Sequence, residues 1–192
     1  EPAHLETLIQ LSGLLLEQGR ADEVLELCRR GVAQHPGDPR IGELHFAMGL
    51  VHLRRNQYHQ ARTDFERAVE LNPSSAEAWN NLGNALLALG EAAEARRALE
   101  AAVSADPTLA DAPYNLGSLF LQQGRLDQAR LAYLAAIAAD STFARTYYAL
   151  AAVYEAHGDI PQARENYQTF IELWQGDPDF LRQARARLDQ LH

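Results

Sequence analysis

Apolar residues along this chain recur at helical spacing and are interrupted by short polar turns. Trp79, Leu82, Gly83 and Leu86 fall at i, i+3, i+4 and i+7, the spacing of one helix face. Ala95, Leu99 and Ala102 resume the stripe after a break. The break carries turn chemistry: Gly90, Gly124 and Gly158 tolerate the positive φ that ends a helix, and Asn56 is the next most tolerant residue at the equivalent place. Asn72-Pro73 and Asp106-Pro107 stop a second helix, because proline lacks the amide hydrogen that a helix needs. Ser74 and Glu77 have capping-box spacing, and Asp159, Pro161 and Gln162 read as N-cap, first helical residue and box partner. The pattern predicts helix hairpins throughout and no strand.

These hairpins repeat. Gly90, Gly124 and Gly158 stand 34 residues apart, and so do Ala61, Ala95, Ala129 and Ala163. Leu82, Leu116 and Leu150, preceded by Met48, keep the same interval, as do Phe65, Leu99, Tyr133 and Tyr167. Ala68, Ala102 and Ala136, with Pro73 and Pro107, add two further registers. One hairpin of this length cannot bury both of its faces, so stability has to come from stacking neighbours. Alanines in the small register let helices approach, and aromatics at 65, 133 and 167 are expected to fill the gap between repeats.

The order Trp79-x-x-Leu82-Gly83-x-x-Leu86, then Ala95-x-x-x-Leu99, Ala102 and Pro107, resembles the tetratricopeptide repeat. The resemblance implies an all-α fold, a right-handed superhelical solenoid of antiparallel helix pairs with about eleven helices. It covers residues 1–192 as a single domain, with repeats 5–41, 42–75, 76–109, 110–143 and 144–177. The first repeat carries Leu8, Leu11, Leu15, Gly19, Cys28 and Pro36 at the matching places and is longer, with its insertion at 37–41. Val24 takes its small-residue slot, which implies looser packing there. Residues 179–191 put Phe180, Leu181, Ala184, Leu188 and Leu191 on one face, a closing helix expected to cover the apolar flank of residues 160–174.

Charge narrows the partners. The net charge is −9, and the 17 basic residues are all arginine. Absence of lysine beside abundant alanine suggests a GC-rich, bacterial source. No basic stripe is present to release counterions from a phosphate backbone, so nucleic acid is not expected. No apolar run approaches the roughly 18 residues of a membrane span, so insertion is not expected either. Cys28 is the only cysteine and falls on an inward stripe, which fits a core thiol better than a nucleophile. The start at Glu1, without methionine, reads as a fragment or a processed form and leaves the compartment open between cytoplasm and periplasm.

Catalytic chemistry is hard to find. There is no G-x-S-x-G, Walker A or glycine-rich phosphate loop, so neither enzyme activity nor a cofactor is expected. His45 and His52 are seven residues apart, about 10 Å along a helix, where metal ligands would need i+3 or i+4. They occupy slots held by Trp79, Phe120, Tyr147 and Tyr154 in other repeats and read as packing rings with polar tips. His59 falls in the next helix. Glu91 and Glu94 sit at a helix start, where the macrodipole favours acids.

What remains is binding of a protein or peptide. In the family that the motifs resemble, the first helix of each repeat lines a concave groove with one face. Carried over, this implies Glu6, Ile9, Gln10, Gly13 and Leu16, then Glu43, Phe46, Ala47, Leu50, Leu53 and Arg54. Glu77, Asn80, Asn81, Asn84, Leu87 and Ala88 come next, then Asp111, Tyr114, Asn115, Ser118, Leu121 and Gln122. The last set is Arg145, Tyr148, Ala149, Ala152 and Glu155. Asn80, Asn81, Asn84 and Asn115 form an amide cluster suited to pairing with a peptide backbone. Phe46, Tyr114 and Tyr148 are candidate apolar anchors. Glu6, Glu43, Glu77 and Asp111 mark one corner of four repeats, ending in Arg145. A carboxylate clamp for chain termini is disfavoured, since the family builds it with lysine and this chain has none. Asparagine at the sixth position of the third and fourth repeats resembles arrays beside glycosyltransferases. The expectation is a non-catalytic interaction scaffold. The alternatives are a substrate-presenting region of a larger enzyme and a self-assembling module.

Overall fold

The computed structural model describes residues 2–191. Among them are eleven α-helices and no strand. They run α1 Pro2–Glu17, α2 Ala21–Gln34, α3 Ile41–Arg54, α4 Tyr58–Leu71, α5 Ala76–Ala88 and α6 Ala92–Ala105. They continue with α7 Asp111–Gln122, α8 Leu126–Ala139, α9 Ala144–His157, α10 Ile160–Leu173 and α11 Pro178–Gln190. The chain divides into two compact units, residues 1–106 and 107–192.

The turns follow from their residues. Gly19, Gly90, Gly124 and Gly158 take φ between 70° and 78°, and Asn56 is the one non-glycine residue described with positive φ, at 57°. These are the left-handed positions that glycine reaches without a Cβ clash and asparagine at small cost. Two capping assignments shift by one residue. α5 is capped by Ser75, not Ser74: the Ser75 hydroxyl accepts from the Ala78 amide, while Ser74 hydrogen-bonds Asn72. Asp159 does cap α10, accepting from the Gln162 amide, but the helix begins at Ile160 and Pro161 is its second residue.

In unit 1 the helices pack in chain order, α1 on α2, α3 on α4, α5 on α6, with α2 and α4 each reaching the next pair. Its core is built from Leu5, Leu8, Val24, Cys28, Leu44 and Val51 at one end and Ala61, Phe65, Leu82, Leu86 and Ala95 at the other. Leu11 departs from expectation: it is 40% exposed. In unit 2, α7 packs on α8, α8 on α9, α9 on α10 and α10 on α11, around Tyr133, Leu150, Val153, Tyr167 and Phe170. Ala184 and Leu191, in and just after the last helix, are buried against this core, with Leu181 and Leu188 beside them. Phe180 is not: it stays 44% exposed.

A small residue on the first helix of each pair meets a large one 16 residues later on the second. A Cβ on Gly49 would lie 2.6 Å from the Phe65 ring, one on Gly83 2.7 Å from Leu99, and one on Gly117 2.7 Å from Tyr133. Real Cβ atoms do not approach so closely, so at these three places the filler sits where a side chain on the glycine would be. Ala151 holds that place before Tyr167 and Ser12 before Cys28, all of them buried.

Candidate functional site

The inner faces of α1, α3 and α5 border an open cavity of about 580 Å3 in unit 1. Its apolar wall is Ile9, Leu16, Phe46, Ala47, Ala68 and Leu71; Ser12, Gly13, Pro39, Arg40, Gly42, Glu43, Asn72 and Glu77 complete it. α1 supplies Ile9, Gly13 and Leu16 at helical spacing, and α3 supplies Gly42, Glu43, Phe46 and Ala47, so each helix turns one stripe to the cavity. Phe46 is propped from behind by Phe65, ring centroids 5.9 Å apart. Arg40 is held by Asp38, Nε to Oδ1 at 3.0 Å and Nη2 to Oδ2 at 2.6 Å, with Glu6 3.9 Å away. That guanidinium draws the Asp38 carboxyl down to about 2. Glu43 and Glu77 are exposed.

The asparagines do not present four open amides. Asn80 is 7% exposed and has a polar partner. The Asn81 amide donates back to the Glu77 carbonyl at 2.8 Å, a local bond within α5. Asn84 is half-buried on the same helix, and Leu50 is half-buried on α3.

In unit 2 the sequence-derived residues gather around aromatic rings. Tyr114 packs on Tyr133 and Phe143, at centroid distances of 5.8 and 5.2 Å. The Tyr133 hydroxyl donates to the Ser118 hydroxyl, which donates to the Tyr114 carbonyl. Burial pushes the Tyr133 phenol up. Asn115 is half-buried and has a polar partner. Tyr148 lies edge-on to Tyr167, Phe170 and Phe180 at 5.4, 5.2 and 6.3 Å. The exposed Arg145 lies over the Trp174 ring at 5.6 Å. Tyr167 donates to Glu155, and Glu155 pairs with Arg187 of α11. Burial and then the Glu155 carboxylate raise the Tyr167 phenol.

Phe46, Tyr114 and Tyr148 are therefore half-buried members of the packing, each with one face outward. Sequence reading missed Arg40, Pro39, Ala68, Leu71 and Asn72 as cavity residues, because they come from linkers and second helices that the one-face rule leaves out. It also missed Asp64. His45 and His52 are more than packing rings: their Nδ1 atoms lie 3.1 and 2.8 Å from the two oxygens of the Asp64 carboxylate. Among the described residues no group of three His, Cys, Asp or Glu side chains is arranged to hold a metal. Cys28 is fully buried, and desolvation pushes its thiol up to about 12, a core group rather than a nucleophile. No described helix is long and apolar enough to cross a membrane.

The family profile of the tetratricopeptide repeat matches residues 46–110, 82–144 and 114–178. Tetratricopeptide repeat protein 33 of Xenopus laevis is 37% identical over 79 residues, 41% of this chain and 30% of that protein. Protein O-mannosyl-transferase TMTC1 of Mus musculus is 34% identical over 84 residues, 43% of this chain. The match spans only 9% of TMTC1's length. Among solved structures, residues 41 to the end of MamA from Desulfovibrio magneticus RS-1 superpose with a TM-score of 0.74 at 25% identity. That superposition covers 88% of this chain and 94% of the other.

Proposed function

This chain belongs to the tetratricopeptide repeat family, and from that premise we propose that it is a non-catalytic scaffold that binds a segment of a partner protein on its inner helix faces. Proteins built on this fold are typically protein–protein interaction scaffolds. The observation that carries the reading is the open, mostly apolar cavity on α1, α3 and α5. It offers shape and apolar area suited to a partner's side chains.

Taken unit by unit, the contact residues proposed are Phe46, Leu50, Asn81 and Asn84 in unit 1 and, separately, Tyr114, Ser118, Arg145 and Tyr148 in unit 2. The amide groups of Asn80 and Asn115, which already have partners, are left with a smaller role. Selection of peptides from a random display library tests this. Selected peptides should lose binding to Leu50→Arg or Arg145→Glu and keep it with Glu70→Arg on the outer side of α4. Peptides sensitive only to the outer substitution would place the binding surface elsewhere.

A second reading has one specific support, the similarity to a segment of a protein named as an O-mannosyl-transferase. In that reading the chain is the part of a larger enzyme that presents substrate. Sequencing the complete gene decides it: an adjoining transferase domain favours the second reading, and its absence the first.

A further inference from the structure

The cavity of unit 1 has a chemistry of its own, which rests on the scaffold reading and refines it. Its floor is aliphatic and aromatic: Ile9, Leu16, Phe46 and Leu71 meet across it. Gly13 opens one wall, and a Cβ there would meet nothing within 4 Å. A glycine inside a helix is unfavourable relative to alanine, and no neighbouring side chain needs the room it leaves. Gly13 is exposed, so the notch it leaves in the cavity wall is open space that the fold itself does not fill.

The rim at the N-terminal ends of the inner helices is acidic. Asp38 holds Arg40 in a bidentate pair, and Glu6 and Glu43 also act on that guanidinium, while Glu77 adds a fourth acid to the rim. Arg54 lies at the opposite end of α3, donating to the Leu16 carbonyl at 3.3 Å. Four acids thus outnumber the single rim cation, and Glu43 and Glu77 are exposed carboxylates lining the cavity. Charge complementarity selects the occupant.

We infer that this cavity takes one bulky apolar side chain of an extended partner segment whose neighbouring residue, lying over Glu43 and Glu77, is arginine or lysine. The apolar group fills the notch beside Gly13, and the adjacent cation meets the acidic rim. The Arg54 end disfavours a second cation there, so the segment has a direction.

The test uses fluorescein-labelled eleven-residue peptides of glycine and serine. They carry a central phenylalanine with arginine, glutamine or glutamate next to it, or a central alanine with arginine. The arginine–phenylalanine peptide should bind at least about tenfold tighter than the glutamate–phenylalanine and arginine–alanine peptides. Gly13→Leu, which fills the notch without a clash, should abolish binding while the thermal melt stays at or above that of the parent. The combined Glu43→Gln and Glu77→Gln variant should bind the arginine and glutamine peptides equally. Preference for the glutamate peptide, still lost on Gly13→Leu, would overturn the charge assignment and leave the groove standing. Binding unchanged by Gly13→Leu would overturn both this inference and the location of the groove. Absence of binding by every peptide would overturn this inference alone, since the library selection tests the scaffold reading separately.

Discussion

The Nδ1 atom of His52 lies 2.8 Å from one carboxylate oxygen of Asp64, and this contact ties α3 to α4. His45 takes the other oxygen at 3.1 Å. A carboxylate only accepts, so both rings carry hydrogen on Nδ1. All three side chains are mostly buried. Asp64→Ala leaves two shielded donors without a partner and should cost about 1–3 kcal/mol, read as a lower urea midpoint. Nitrogen-15 NMR of the rings should report hydrogen on Nδ1 in the parent protein; hydrogen on Nε2 alone in both would refute the pairing.

Packing under Tyr133 should be intolerant of a single methyl. Gly117→Ala improves helix propensity by up to about 1 kcal/mol. It also drives a Cβ to 2.7 Å from a ring that is 1% exposed, so the ring or its helix has to shift. Overpacking should win and leave a net loss of about 1–2 kcal/mol in a thermal melt. Ala129→Leu, at a position with no exposure, should lose about 1–3 kcal/mol for the same reason. An unchanged melting temperature in both would contradict the close approach.

Removing α11 should uncover unit 2. A chain ending at Gly176 loses Ala184 and Leu191 from the core and the Arg187 partner of Glu155. It leaves Tyr148, Phe170 and Trp174 without Phe180 and Leu181 beside them. Earlier melting, or association seen by light scattering, is the expected result. A monomer of unchanged stability would mean that α11 contributes nothing to the fold.

Alkaline pH should weaken the protein. The Cys28 thiol, ordinarily ionising near 9, is pushed up to about 12 by burial, and the Tyr133 and Tyr167 phenols are raised as well. Well below pH 9 Cys28 is neutral in both folded and unfolded chains, and the full stability is present. Above it the unfolded chain releases its proton first, so stability falls with rising pH. Urea midpoints should therefore decline from pH 9 upward. At about pH 8, where the unfolded thiol is already partly ionised, a thiol reagent should label Cys28 only as fast as the chain opens.

Much of this fold was legible because its rules are local. Glycine at 90, 124 and 158 and asparagine at 56 announce their turns by backbone chemistry, whatever surrounds them. The 34-residue interval of Ala61, Ala95, Ala129 and Ala163 reports packing between helices without any knowledge of shape. The candidate site was less legible, since it depends on contacts at a distance. Nothing near His45 in sequence points to Asp64, 19 residues on. Leu71 and Arg40 reach the cavity from a second helix and a linker, where periodicity along the first helix is silent. Asn80 fell on the expected face, but the depth to which a helix sinks decides its exposure, and spacing carries no depth. One signal was available and unused: Gly49 and Gly117 stand 34 residues on either side of Gly83.

The notch-and-filler arrangement, Gly49 with Phe65, Gly83 with Leu99 and Gly117 with Tyr133, closes inside one hairpin. Each hairpin thus carries its own lock and key, and copying one along a gene copies both halves together. Chains of this kind can lengthen by duplicating a cassette of 34 codons without retuning the fit within its neighbours. The variety at the filler position, where phenylalanine, leucine and tyrosine alternate, is then free to drift in each copy so long as the residue opposite it stays small.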